Sequence, residues 1–256
     1  MKKSKLILVA GVISLGLSAC GEDAGTASGS LQMALGNGTL GKAAPSGVSA
    51  AAANPLSFTD GQNTFTIETA RMHIRDVRFD NADGSQVTVA GPFVMDLITN
   101  TGTPDIPKFE LTDGVYNRVD IRLDEANIGD NLLLAGDTLL GNALVVTGTH
   151  TLDPQGTFTL TVRVTEDIRF EPVGGFIVDS AVGANVQLVY NVTDWLENPD
   201  SLGTPVDLTT CITTNTLMDA VTKHIALNEG TQCGQSKSIG NIIKDNMKNK
   251  YDVSNS

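Results

Sequence analysis

Two groups of acidic and amide side chains are the first places where this sequence could do chemistry. Asp80, Asn81 and Asp83 crowd one short stretch, and Asp124, Glu125, Asn127 and Asp130 crowd another. Carboxylates and amides gathered on a loop supply the hard oxygen donors that calcium prefers, which makes Asp80, Asp83, Asp124 and Asp130 the candidate metal ligands. Neither group has EF-hand spacing, and the same side chains are ordinary turn formers, the simpler reading of both. Sugar binding would call for an exposed aromatic platform flanked by hydrogen-bonding groups. With one Trp and three Tyr in the chain, Tyr116 and Trp195 are the candidates, packing being the competing role for each. His73, His150 and His224 are far apart, and a triad or histidine metal site would need them to converge. No Gly-x-Ser-x-Gly elbow, His-Glu-x-x-His pair or phosphate loop occurs. The chain is therefore expected not to be an enzyme and to require no cofactor, calcium being the one ion considered.

The elements that must position these residues are strands. In Asp113 to Ala126, Val115, Val119, Ile121 and Leu123 share one parity and Tyr116, Arg118, Asp120 and Arg122 the other, the pattern of a strand with one wet face. That parity turns Tyr116 outward. Phe65 to Phe79 alternates with two changes of phase, which predicts bulges or a break between two strands. Gln86 to Ile98 follows a turn at residues 81–84 and contains Gly91-Pro92, suited to an edge or a bulge. Leu132 to Leu134 and Thr138 to Thr147 read as short core strands, Thr157 to Val164 and Val186 to Val192 as clean alternators, and Leu31 to Leu35 as a first strand. Turn chemistry between these runs, with connections too short for crossover helices, predicts an all-β fold. The expected architecture is an antiparallel, Greek-key-type β-sandwich of about seven to nine strands.

After Pro205 the pattern changes. Leu217, Met218, Val221 and Ile225 fall at helical spacing over residues 215–228, with Thr214 as the expected cap, and Ile239, Ile242, Ile243 and Met247 repeat the spacing behind Ser238. These predict a small C-terminal helical appendage whose apolar stripes pack on the sandwich.

The chain opens MKKSKLILVAGVISLGLSACGED: Lys2, Lys3 and Lys5, an apolar run from Leu6 to Leu17, then small residues ending at Cys20. An apolar run of about twelve residues is shorter than the ~20 needed to span a bilayer, so residues 1–19 read as a signal peptide. The LSAC run resembles the lipobox of bacterial lipoproteins, which implies cleavage before Cys20 and a diacylglycerol on its sulfur. Gly21, where such lipoproteins carry Asp for inner-membrane retention, implies the outer membrane. Loss of the three leader lysines would take the net charge from −12 to −15. Such acidity excludes nucleic-acid partners and electrostatic adhesion to anionic lipid, leaving the acyl chains as the membrane contact. Outside the cytoplasm Cys211 and Cys233 most simply pair, closing a loop worth about 3 kcal/mol in the chain-entropy model. A zinc site lacks its ligand set, neither cysteine having a partner at close spacing.

These readings divide the chain into a leader (1–19), a lipidated cysteine with a flexible tether and a first strand (20–54), a sandwich (55–200) and a disulfide-stapled helical appendage (201–256). The stretches SGSLQMALGNG, VMDLITN, LTDGVYNRVDIRL and NVQLVYNVTDWL resemble strands of a group of bacterial envelope lipoproteins. Those proteins carry a carbohydrate-binding-like or transthyretin-like β-sandwich. The resemblance implies a binding or structural module and supplies no catalytic residues to carry over. The expected function is a lipid-anchored, non-catalytic envelope lipoprotein whose partner is an envelope protein or a glycan. The alternative is a calcium-dependent carbohydrate-binding or surface-adhesion module.

Overall fold

The computed structural model describes residues 25–36, 56–172, 174–181, 183–228, 230–249 and 251–255. The expected leader, Cys20 and most of the expected tether lie outside the described residues.

The longest strand, β3 (Thr64–Asn81), organises the larger of two sheets. Its inward residues are Phe65 and Ile67, then Ala70, Met72 and Ile74, then Val77 and Phe79. Each change of parity coincides with a shift in pairing register, between Ile67 and Thr69 and between Ile74 and Asp76. The phase changes are thus bulges within one strand, which let an 18-residue strand bend and keep an apolar face on the core throughout. Along one edge β3 pairs with β7 (Gly114–Leu123) and β8 (Leu144–His150), along the other with β2 (Ser57–Thr59) and β4 (Gln86–Asp96). Where β8 passes the first bulge, Gly148 has no room for a side chain: a Cβ there would lie 1.8 Å from the Thr66 carbonyl oxygen. Gly91-Pro92 falls at the second bulge, between Ala90 opposite Asp76 and Phe93 opposite Ile74, where a missing N–H leaves no gap in the ladder.

The sheet continues through β10 (Glu166–Phe170) and β11 (Phe176–Val178) beside β7, through β9 (Gly156–Val162) and β13 (Ile225–Asn228) beyond β8, and through β5 (Thr101–Thr103) beside β4. The second sheet runs in the order β14 (Tyr251–Asn255), β12 (Ala184–Asn191), β1 (Thr26–Gly36), β6 (Phe109–Thr112). The layers share one core. Phe79 of β3 stacks on Phe109 of β6 at 4.8 Å, and Phe170 of β10 meets Tyr190 of β12 edge-on at 5.8 Å. The molecule is the expected all-β sandwich with a small helical part.

Several expectations need correction. The described residues form fourteen strands, the excess over seven to nine coming from pieces of three to five residues. The sheets are mixed: β1 runs parallel to β12, and β13 parallel to β9, because each partner arrives through a long excursion of the chain. The first strand begins at Thr26, five residues before the expected start, since Ala27 is buried and Gly29 lies flat beneath the Phe109 ring. Leu132 to Leu134 is not a strand; Leu133 joins Ala126 and Leu139 in a small satellite core over Val94 and Val145.

The appendage departs most. Its first helix, α1, spans Leu208–Thr214, earlier than expected, and is capped by Asp207, whose carboxylate accepts from Thr210 N. Thr214 ends the helix rather than starting it. Thr216 and Lys223 adopt positive φ, and the Asp219 carboxylate accepts from Val221 N and Thr222 N, a local turn that competes with helix. Val221 is consequently 86% exposed, and Ile225 enters β13. The second helix, α2 (Ile239–Asn249), follows the expected stripe, with Ile239, Ile242, Ile243 and Met247 all in the main core. Cys211 in α1 and Cys233 lie at disulfide distance, Cα–Cα 4.7 Å.

Candidate functional site

The acidic groups resolve into turns and ion pairs. Asp80 pairs with Arg118 and accepts from Gln86 Nε2 at 2.6 Å. Asp83 closes the β3–β4 turn, its Oδ1 accepting from Ser85 N at 2.7 Å, and this backbone bond holds its carboxyl below the usual range. Asp124, just beyond β7, accepts from Glu125 N at 2.9 Å and Thr165 Oγ1 at 2.8 Å and lies 3.5 Å from Arg75 Nη1. Asp130 and Asn127 form a reciprocal capping box around a short 3-10 turn, Ile128–Asp130. The four candidate calcium ligands therefore sit in two places at opposite ends of β7. Among the described residues, no three His, Cys, Asp or Glu side chains gather as a metal site.

His73 has a different use. Buried in β3, it meets the Asp124 carbonyl through Nδ1 at 2.9 Å and faces Asp130 Oδ2 from Nε2 at 3.4 Å, so that it latches the loop after β7 onto the sheet. A triad would need a carboxylate hydrogen-bonded at one ring nitrogen and a hydroxyl or thiol at the other; Nε2 makes no hydrogen bond to Asp130, and Nδ1 is taken by the Asp124 carbonyl. His150 and His224 do come to one end of the molecule: His150 Nε2 contacts the Lys223 carbonyl at 3.0 Å, and His224 Nδ1 contacts Thr157 Oγ1 at 2.9 Å. Both contacts fasten the segment ahead of β13 to the β8–β9 hairpin.

The aromatic candidates are core. Tyr116 is fully buried, stacked on Phe176 at 5.4 Å, its hydroxyl donating to the Thr112 carbonyl at 3.2 Å. The outward parity expected for it fails at a bulge: Asp80 pairs with Arg118 but Asn81 with Tyr116, leaving Asn117 as the extra residue. Tyr116 therefore turns inward and Val115 turns out, 39% exposed. Trp195 is also fully buried, and its carbonyl accepts from Asn246 Nδ2 of α2 at 3.0 Å. Neither ring can serve as a stacking platform for a ligand.

A feature the sequence analysis missed covers the outer face of the large sheet. In register across β3, β7 and β10 stand Arg78, Asp120 and Arg169; the next row is Asp76, Arg122 and Asp167; Asp80 and Arg118 begin a third. Four arginines and four aspartates alternate in both directions. Asp120, 2% exposed, lies 3.2 Å from Arg118 Nε, 3.4 Å from Arg169 Nε and 3.8 Å from Arg78 Nη2. The signal was available: DVRFD, RVDIR and DIR each alternate charge at every second residue, the spacing of one strand face. The lattice is neutral in sum, and seven of its eight residues share ion pairs within it, Arg122 standing in register between Asp76 and Asp167, so its main role is to stabilise the sheet.

A concave site lies at the other end of β3. The turn at Asp60–Asn63, the β8–β9 turn and the appendage enclose a cleft of about 480 Å³ lined by Gln62, Asn63, Asp153, Thr209, Thr213 and Thr216 around Leu152, Ile212 and Met218. Its wall is tied by Asp60, 6% exposed. One oxygen accepts from Gln62 N at 3.0 Å and Asn63 N at 2.6 Å, the other from Thr209 N at 3.0 Å and Thr209 Oγ1 at 2.7 Å. Asn63 Nδ2 in turn donates to Thr209 Oγ1 at 2.6 Å. Behind α1, Asn215 Nδ2 donates to the carbonyls of Cys211 at 2.9 Å and Gln232 at 3.1 Å, beside the disulfide. Amides, hydroxyls and apolar side chains with one carboxylate and no cation are the chemistry of a binding surface for a neutral polar ligand. No motif advertises the cleft, since its walls come from three segments joined only by folding.

Family models, curated proteins and solved structures contain no match to this chain. No helix among the described residues is long and apolar enough to cross a membrane.

Proposed function

We propose that this protein is a lipid-anchored, non-catalytic binding module of the bacterial cell envelope, held at the outer membrane through Cys20, and that it takes a neutral glycan in the cleft between sandwich and appendage. The cleft carries the reading: amide and hydroxyl groups alternate with Leu152, Ile212 and Met218 in a wall fixed by Asp60. The LSAC sequence ahead of Cys20 supports the anchor. An envelope protein remains the competing partner.

Two experiments test it. Metabolic labelling with an alkyne fatty acid is expected to mark the wild-type protein and not Cys20→Ser; an unlabelled wild type overturns the anchor. On a glycan array the protein is expected to bind in the presence of EDTA, and Thr213→Arg, which fills the cleft from an exposed helix position, is expected to abolish binding with an unchanged melting temperature. Binding that survives Thr213→Arg overturns the cleft, and a blank array overturns the glycan. The calcium-dependent alternative predicts a melting temperature that rises with calcium. With the four acidic residues spent on turns and ion pairs, the midpoint is expected to stay constant.

A further inference from the structure

The chain enters the described fold at Gly25, and that entry point is tightly held. Asp113 N donates to the Gly25 carbonyl at 2.8 Å, and a Cβ on Gly25 would lie 2.4 Å from Ser180 Oγ and 2.5 Å from Asp113 Oδ2. Ser180 is clamped to Asp113 in turn, through its N at 2.6 Å and its hydroxyl at 2.9 Å. Two residues on from Asp113 is Val115, and three before Ser180 is Ile177; the two are register partners across β7 and β11. Their neighbours Tyr116, Phe176 and Val178 face the core, so Val115 and Ile177 point together from the outer face, 39% and 68% exposed. The charge lattice on that face begins only at Arg118. An apolar pair thus sits at the pole where the chain enters.

Four residues lie between Cys20 and Gly25, five Cα–Cα steps that reach at most about 18 Å when fully extended. Val115 and Ile177 lie within two and three residues of the clamp, about 7 and 11 Å of chain. An acyl group on Cys20 would therefore hold this pole against the bilayer. The cleft is at the opposite end of β3, since β7 runs antiparallel to β3 and starts beside Asn81, whereas the cleft lies beyond Thr64.

Resting on the lipid-anchor reading, we infer that Val115 and Ile177 form a bilayer-contacting face that dips into the interface of the membrane holding Cys20, so that the protein stands with its cleft directed away from the lipid. Two apolar side chains bind a membrane feebly by themselves, but tethering makes the contact intramolecular, and a modest preference then suffices to set orientation. The ionisable groups beside the pair are acidic: Asp113 and Asp179 flank it in the chain, and Ala82 N, donating to the Val115 carbonyl at 2.7 Å, brings the Asp83 turn next to it, whereas the first arginine of the face is Arg118. Zwitterionic lipid is therefore preferred to anionic lipid.

The test uses the full acylated protein in phosphatidylcholine vesicles containing brominated chains. An environment-sensitive fluorophore is attached at Ile177→Cys or, as a control away from the entry pole, at Leu134→Cys, which is 84% exposed on the loop after β7. Emission at position 177 is expected to shift to the blue and to be quenched several-fold more than at position 134, and replacing half the lipid with phosphatidylglycerol is expected to weaken the quenching. Equal quenching at both positions, or none at 177, overturns the orientation while flotation and intact mass still report the anchor. A sample with no acyl mass that fails to float overturns the anchor, and the orientation with it.

Discussion

The two ends of β3 are closed in different ways. At the Asn81 end the β3–β4 turn closes on itself: Asn81 N donates to the Ser85 carbonyl at 2.9 Å, Gly84 N to the Asn81 carbonyl at 3.0 Å, and Asp83 N to Asn81 Oδ1 at 3.2 Å. At the Thr64 end the equivalent turn is fastened to a helix 149 residues away, through Asp60 and Thr209. A local turn closes at small entropic cost and leaves no space. A remote partner has to be brought in and held, which costs more chain entropy and is offset here by a staple between Cys211 and Cys233. Because the remote partner is a short helix that meets the turn only at one face, the join leaves a cleft. The same contrast places a closed, apolar-tipped pole where the chain enters and a polar concavity at the far end.

Breaking the remote join is expected to cost most. Asp60→Ala strands four donors at a 6% exposed position, and at about 1 kcal/mol for each lost bond the protein is expected to lose ~4 kcal/mol in urea unfolding. A loss below 1 kcal/mol would mean that the turn and α1 hold together without it. Removing the disulfide by Cys211→Ser with Cys233→Ser is expected to cost about 3 kcal/mol, with amide exchange speeding up in α1 before the strands of the sandwich. The matching change at the local end, Asn81→Ala, removes one side-chain bond and is expected to cost only about 1 kcal/mol; a value equal to that of Asp60→Ala would erase the contrast.

Acid supplies the mildest probe. Asp207, Asp219 and Asp200 at the appendage end all have carboxyls held below the usual range, chiefly by hydrogen bonds from Thr210, Thr222 and Ser236; Asp83 is the counterpart at the local end. A lowered native pKa means that the unfolded chain binds more protons between the two values. Stability is therefore complete above the ordinary Asp range near pH ~3.9 and falls as the pH drops through the lowered native values. Amide exchange in residues 207–222 is expected to accelerate below about pH 4 before exchange in the β3–β7 pairing does. Simultaneous acceleration in both would count against the difference.

How far this was readable in advance varies by region. The sandwich was readable because a strand with one buried face writes its period into the sequence, as in Thr157 to Val164, and because the two phase changes of β3 are visible in its apolar residues. The α2 stripe was readable for the same reason. Tyr116 was misread, since one extra residue at Asn117 reverses the parity of everything before it and nothing in the local composition marks the extra residue. The helix expected over residues 215–228 fails because four apolar residues at helical spacing are outweighed by an aspartate, Asp219, whose turn chemistry decides the backbone. The charge lattice was overlooked, though its alternation is periodic and local. The cleft had no trace to find.

Local residue types alone determined that this chain makes strands with turns between them and that its last apolar stripe is helical. Only tertiary packing decided which way Tyr116 and Val115 face, which strands run parallel, and that Asp60 meets Thr209 to leave a cavity beside them. The physical reason is range. Periodicity and turn preference are properties of neighbouring residues, whereas register, bulges and a site built from three separated segments depend on which distant surfaces fit together.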